Sequence, residues 1–172
     1  DLDGCPERGP TAYPGEVPVA VVAATSDEVP PWPSIDSPLR TAASHPEDAA
    51  VVVGLESYAF LPQVPFAARD ADAFYDFFVH TSGIPSDRVQ LLHEGSVEQL
   101  RPALQAAGNS VGPGGTVWIY FAGHGASDAG SDQQVLLGDD TRPSLESFAS
   151  RSLGLAEVQQ LASANGGSPF LI

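Results

Sequence analysis

Methionine is missing from all 172 residues, cysteine occurs once, and basic side chains are few. Each shortage closes a class of function. With Cys5 alone, the chain builds neither an intrachain disulfide framework nor a multi-cysteine zinc site, and one thiol leaves the redox compartment open. Seven Lys and Arg stand against 22 Asp and Glu, giving a formal net charge of −15. Such a surplus repels phosphate backbones and anionic lipid, and no clustered basic patch opposes it locally. Neither nucleic acid nor a membrane surface is therefore expected as a partner. No apolar run approaches the length needed to cross a bilayer. The expectation is a soluble, acidic protein with room for one domain and an extension.

The two ends add a further expectation. The absence of methionine, together with an apolar run Pro169-Phe170-Leu171-Ile172 that stops without a turn or cap, reads as an internal fragment cut within a buried strand. No signal or transit segment is visible, and a fragment carries no information on that point. Residues 1–47 are rich in Pro, Ala, Ser and acidic side chains, as in Pro30-Pro31-Trp32-Pro33, and read as an extension or linker. One strand-like run, 17–24, interrupts it. The domain proper is expected over 48–172, with no internal repeat.

From Ala49 onward strand and helix signals alternate. Ala50-Val51-Val52-Val53-Gly54 has the continuous β-branched character of a strand buried on both faces. Ala67, Ala71, Phe74 and Phe78 then recur at helical spacing, with Gly83 and Pro85 as the stop. A short strand is expected over 88–92. Ser96 with Gln99 makes a capping-box start for a helix to about Gly108, which Pro102 is expected to kink. After Gly112-Pro113-Gly114-Gly115 comes the strongest strand signal, 116–122, apolar at nearly every position and hence central. Residues 134–137 read as a further short strand. Leu155, Val158 and Leu161 mark another helix, and Phe170 to Ile172 a last strand. This order specifies an α/β sandwich with a mostly parallel central sheet and helices on both faces. In such sheets function gathers beyond the carboxyl ends of the strands.

The central strand runs directly into Gly123-His124-Gly125. The glycines permit close backbone approach and free N–H groups to face a developing oxyanion. An imidazole there is suited to take or give a proton near neutral pH. A bare Gly-His-Gly is more often a loop histidine that merely hydrogen-bonds, so the surrounding pattern must carry the reading. Cys5 has no strand to position it as a nucleophile and reads as a linker thiol. Asp70 and Asp72 suit the start of a helix through its dipole. His45, His80 and His93 share no metal-ligand spacing and read as surface or loop residues. Asp1, Asp3 and the pair Asp139-Asp140 offer oxygen donors to calcium, but the twelve-residue calcium loop is not present, and no cofactor is expected. Glu56-Ser57-Tyr58, following Gly54, provides no phosphate loop, which argues against a nucleotide-binding domain.

Ala50 to Gly54, the stretch Phe66-Ala67-Ala68-Arg69-Asp70-Ala71-Asp72-Ala73, and Trp118 to Gly125 together resemble the large-subunit pattern of the caspase and metacaspase family. The resemblance covers about residues 49–172. It implies the three-layer caspase-like (caspase-hemoglobinase) fold, here truncated at the C-terminus, and a cysteine endopeptidase acting through a Cys-His dyad. On that reading His124 is the general base and the Gly125 N–H helps to bind the oxyanion. The family's spacing of roughly 50 residues from histidine to cysteine implies a nucleophile at about position 174. This chain alone is then inactive, and the C-terminal remainder of the domain or a complementary second chain would supply the thiol. The partner is a protein or peptide substrate. The stretch Leu61-Pro62-Gln63-Val64-Pro65 lacks the arginine by which animal caspases prefer aspartate, so cleavage after Arg or Lys is the expectation for an acidic domain. A catalytically dead caspase-like scaffold or partner-binding module is the alternative.

Overall fold

The computed structural model describes residues 37–127 and 133–172. The strand-like run 17–24, Cys5, Asp1 and Asp3 lie outside the described residues. Four strands form one sheet: β1 (Ala49–Gly54), β2 (Val89–Leu92), β3 (Thr116–Ala122) and β7 (Ser168–Leu171), in the order β2-β1-β3-β7. Every pairing in it is parallel, with Ala50 opposite Val89 and Trp118, and Trp118 opposite Phe170. A second, antiparallel sheet joins β4 (Gly125–Ser127), β5 (Gln134–Leu137) and β6 (Ser152–Gly154) in that order. The helices are α1 (Ala67–Asp76), α2 (Val97–Ser110), α3 (Leu145–Ser150) and α4 (Leu155–Ala162).

Why the helices divide between two faces follows from strand order. From β1 the chain steps outward to β2, then back across β1 to β3, and onward to β7. Right-handed crossovers running in opposite directions must lie on opposite faces of the sheet. Accordingly Ala50, Val52 and Val89 pack with Ala71 of α1 and with Phe78, whereas Ala49, Val51, Val53, Val117 and Ile119 pack with α2 and α4 through Val97, Leu100, Leu104, Val158 and Ala162. All six residues of β1 are buried, as its uninterrupted apolar run requires between two helical layers. Gly54 ends the strand where α1 crosses closest. A Cβ there would lie 2.3 Å from the Ala67 carbonyl oxygen, so no larger residue fits.

Local differences from the sequence reading have physical causes. Helix α1 continues as a π-helical turn over Phe77–Ser82 before Gly83 closes it. That turn is held by the preceding segment, for Thr41 N donates to His80 O and His45 N to Gly83 O. Helix α2 begins as expected, with Gln99 Oε1 accepting from Ser96 N at 3.0 Å, but it runs through Pro102 to Ser110. Pro102 and Glu98, whose carbonyl it leaves unpaired, are both exposed, so water can take the place of the lost hydrogen bond. Strand β7, read as buried, is the outermost strand of this sheet among the described residues, with Phe170 53 % exposed and Leu171 37 %. No helix among the described residues is long and apolar enough to cross a membrane.

A polar device anchors the start of the central strands. Asp48, 7 % exposed, accepts from Thr116 N through Oδ1 at 2.8 Å and from Trp118 Nε1 through Oδ2 at 3.0 Å. Arg88 Nε donates to its main-chain oxygen at 2.8 Å. One residue thereby ties the entries of β1 and β3 by its carboxylate, and the entry to β2 by its main-chain oxygen, at the edge opposite the candidate site.

Candidate active site

The parallel sheet reverses its direction of growth between β1 and β3, since β2 lies beyond one and β7 beyond the other. At such a switch point the loops leaving the two strands part to opposite faces and open a crevice at the carboxyl edge. Here the segment after Gly54 meets the turn that carries His124 at that edge, through Tyr58 and Pro62. Leu55 N donates to Ala122 O at 2.8 Å, prolonging the β1–β3 pairing by one step before the chains diverge.

Four attachments hold the half-buried His124. Its main-chain N–H donates to the Tyr58 hydroxyl at 2.8 Å, and its carbonyl accepts from Leu137 N of β5 at 3.0 Å. Its ring Nε2 lies 2.8 Å from the Pro62 carbonyl oxygen. The ring also meets Tyr58 edge-on, with centroids 4.7 Å apart and planes inclined by 62°. A carbonyl can only accept, so Nε2 carries a proton, and in the neutral ring Nδ1 is then the acceptor. The tautomer is therefore set by a main-chain atom 62 residues away in sequence.

Tyr58 is 9 % exposed, and its hydroxyl in turn donates to Leu137 O at 3.4 Å. Burial pushes that hydroxyl above its ordinary pKa, and Asp139 pushes the same way, against the opposing pull of the His124 amide. Gly123 has a steric role more than a conformational one. A Cβ on it would lie 2.6 Å from the Tyr58 hydroxyl, so the glycine admits the oxygen to the His124 amide. Gly125, the next residue of the turn, is exposed.

Beside Gly125, a cleft of about 610 Å³ opens between the end of β3 and the β4–β5 hairpin, lined by Phe121, Gly125, Ser127, Val135, Leu136 and Ile172 among others. Ile172 lies against the end of β3, donating to Ile119 O at 2.7 Å and accepting from Phe121 N at 3.1 Å. The C-terminal strand and the His124 turn thus share one edge of the sheet.

Other candidate residues fall elsewhere. His93 pairs with Asp72 at 2.9 Å, His80 lies 3.8 Å from Asp76, and His45 3.7 Å from Asp48. Asp70 lies in the first turn of α1. Asp139 Oδ2 accepts from Gly95 N at 2.7 Å, and Asp140 pairs with Arg151. Among the described residues no three His, Cys, Asp or Glu converge to hold a metal.

Sequence reasoning passed over Tyr58, the Pro62 carbonyl and Arg142. The Arg142 guanidinium lies 4.3 Å over the Phe60 ring, bringing a cation next to a loop that contains none of its own. Only Gly123 carried a local signal for any of these contacts. No known family model and no curated protein sequence matches the chain.

Proposed function

We propose that this chain is the large-subunit portion of a caspase- or metacaspase-like cysteine endopeptidase domain, with His124 as its general base. The observation that carries the reading is the position of His124 at the switch point of a parallel sheet, with Nε2 tied to a carbonyl and Nδ1 left as acceptor. The three-layer α/β arrangement is consistent with the caspase-like fold and is the coarser support.

In the proposed reaction, Nδ1 accepts the proton of a cysteine thiol and the thiolate attacks the substrate carbonyl carbon. The oxyanion is met by the Gly125 N–H, and collapse breaks the C–N bond while His124 returns the proton to the leaving amine. Water then hydrolyses the acyl-enzyme. On this reading the thiol comes from the C-terminal remainder of the domain or from a second chain, since Cys5, the one cysteine of the sequence, stands in a Pro-rich stretch with no strand signal to position it. Preference for a basic residue at the cleavage site rests on the charge of −15, and Arg142 beside Phe60 weighs against it.

The test is the thiol-bearing complete protein assayed on matched peptides ending in Arg, Lys or Asp. Activity should appear, be blocked by thiol alkylation, and fall at least about a hundredfold in His124→Ala. The ring makes one hydrogen bond and one aromatic contact, so folding should weaken by only about 1–2 kcal/mol. Equal cleavage by the His124→Ala and unmodified forms would refute the assignment. A complete protein that binds peptides without cleaving them would be the scaffold instead.

A further inference from the structure

A histidine between two glycines is the least restrained arrangement a chain offers, since each glycine removes the steric limits that would fix its neighbour. Acid–base catalysis needs the opposite, a ring held within a fraction of an ångström of its target. Two of the four attachments of His124 come from a single side chain, the hydroxyl and the ring edge of Tyr58. That side chain is itself anchored. Its hydroxyl bonds Leu137 O, the next amide, Ala59 N, donates to Asp139 O at 2.9 Å, and Asp139 N donates to Gly95 O at 3.1 Å. Gly123 is shaped to admit the hydroxyl, at the expense of any side chain of its own.

We infer that Tyr58 is the positioning residue of this site: it holds His124 by its main chain and ring so that Nε2 stays on Pro62 O and Nδ1 faces the nucleophile. The inference rests on the proposed role of His124 as base. Tyr58 touches no reacting atom and acts through His124 alone. Its hydroxyl also links the two sheets, because it binds the amide after β3 and the last carbonyl of β5 at once.

The contact can be broken from either side. Tyr58→Phe deletes the hydroxyl and keeps the ring edge. Gly123→Ala keeps tyrosine and drives a Cβ into the oxygen. In the isotope-labelled 172-residue chain, both variants should speed hydrogen exchange of the His124 amide about tenfold, the loss of one hydrogen bond. Ring nitrogen shifts should change from a single Nε2–H tautomer to a mixture. In the thiol-bearing complete protein, both should lower kcat about tenfold with KM within twofold, as expected when only transition-state alignment suffers. Unchanged exchange and tautomer in both variants would overturn the inference, even if activity fell. Should one variant fail to fold, the other decides by the same readouts. Loosened His124 in chains whose complete, unmodified parent cleaves nothing would uphold the positioning role and overturn the peptidase reading.

Discussion

Replacing Asp48 by alanine removes the one buried carboxylate that ties β1 to the head of the central strand. Its two oxygens accept from Thr116 N at 2.8 Å and from the Trp118 indole at 3.0 Å, in a residue 7 % exposed. Hydrogen bonds to a charged acceptor contribute about 1.5–3 kcal/mol each, which sets a ceiling of about 3–6 kcal/mol for the pair. Part of this returns because the variant no longer desolvates a carboxylate. The His45 contact, 3.7 Å from a half-exposed ring, adds little. A net loss of about 2–4 kcal/mol remains, a large share of the roughly 5–15 kcal/mol by which domains are stable. With a urea slope of about 2 kcal/mol per molar, the midpoint should fall by about 1–2 M. Asp48→Asn should recover less than half, because its NH2 must face one of the two N–H donors. A double-mutant cycle with Trp118→Phe should give a coupling of about 1–2 kcal/mol, since phenylalanine keeps the ring contacts and loses only the indole donor. A midpoint shift below about 0.2 M, or no coupling, would show that the anchor contributes little.

Phe66 precedes α1 with φ of 72° and is 65 % exposed, so it bears left-handed strain with little burial in return. Phe66→Gly should raise stability by about 0.5–1 kcal/mol in urea melts, and a loss would mean that the aromatic ring makes an unseen contribution. Alkaline titration offers a third measurement. Tyr58 and Tyr120 both have pKa values raised above 10.0, chiefly by burial. The unfolded chain therefore ionises first, and the stability they contribute, complete below about pH 10, should decline as pH rises toward the folded-state values. Tyr58→Phe should flatten that decline without abolishing it, because Tyr120 remains. Stability that increases above pH 10 would contradict the burial argument.

Local pattern along the chain was enough to read the strands of the main sheet and the place of His124 at the end of one of them. The runs at 49–54 and 116–122 are apolar at nearly every position, which only a strand covered on both faces satisfies, and both strands lie in the interior of the sheet. The Ser96–Gln99 pair marked the start of α2 because capping is a contact three residues apart. Local signals of this kind are written along the chain. Tertiary structure decided what surrounds the imidazole: the Pro62 carbonyl is 62 residues from it in sequence and the Tyr58 hydroxyl 66, while Asp48 reaches the Trp118 indole across 70. No periodicity or spacing rule encodes such pairs, since they exist only once parallel register has brought the ends of β1 and β3 side by side. Of the small antiparallel sheet, β5 was legible at 134–137, whereas its two partners escaped because of their length. Two of its strands are three residues long, too short to show an alternation, and they are strands only because β5 lies between them.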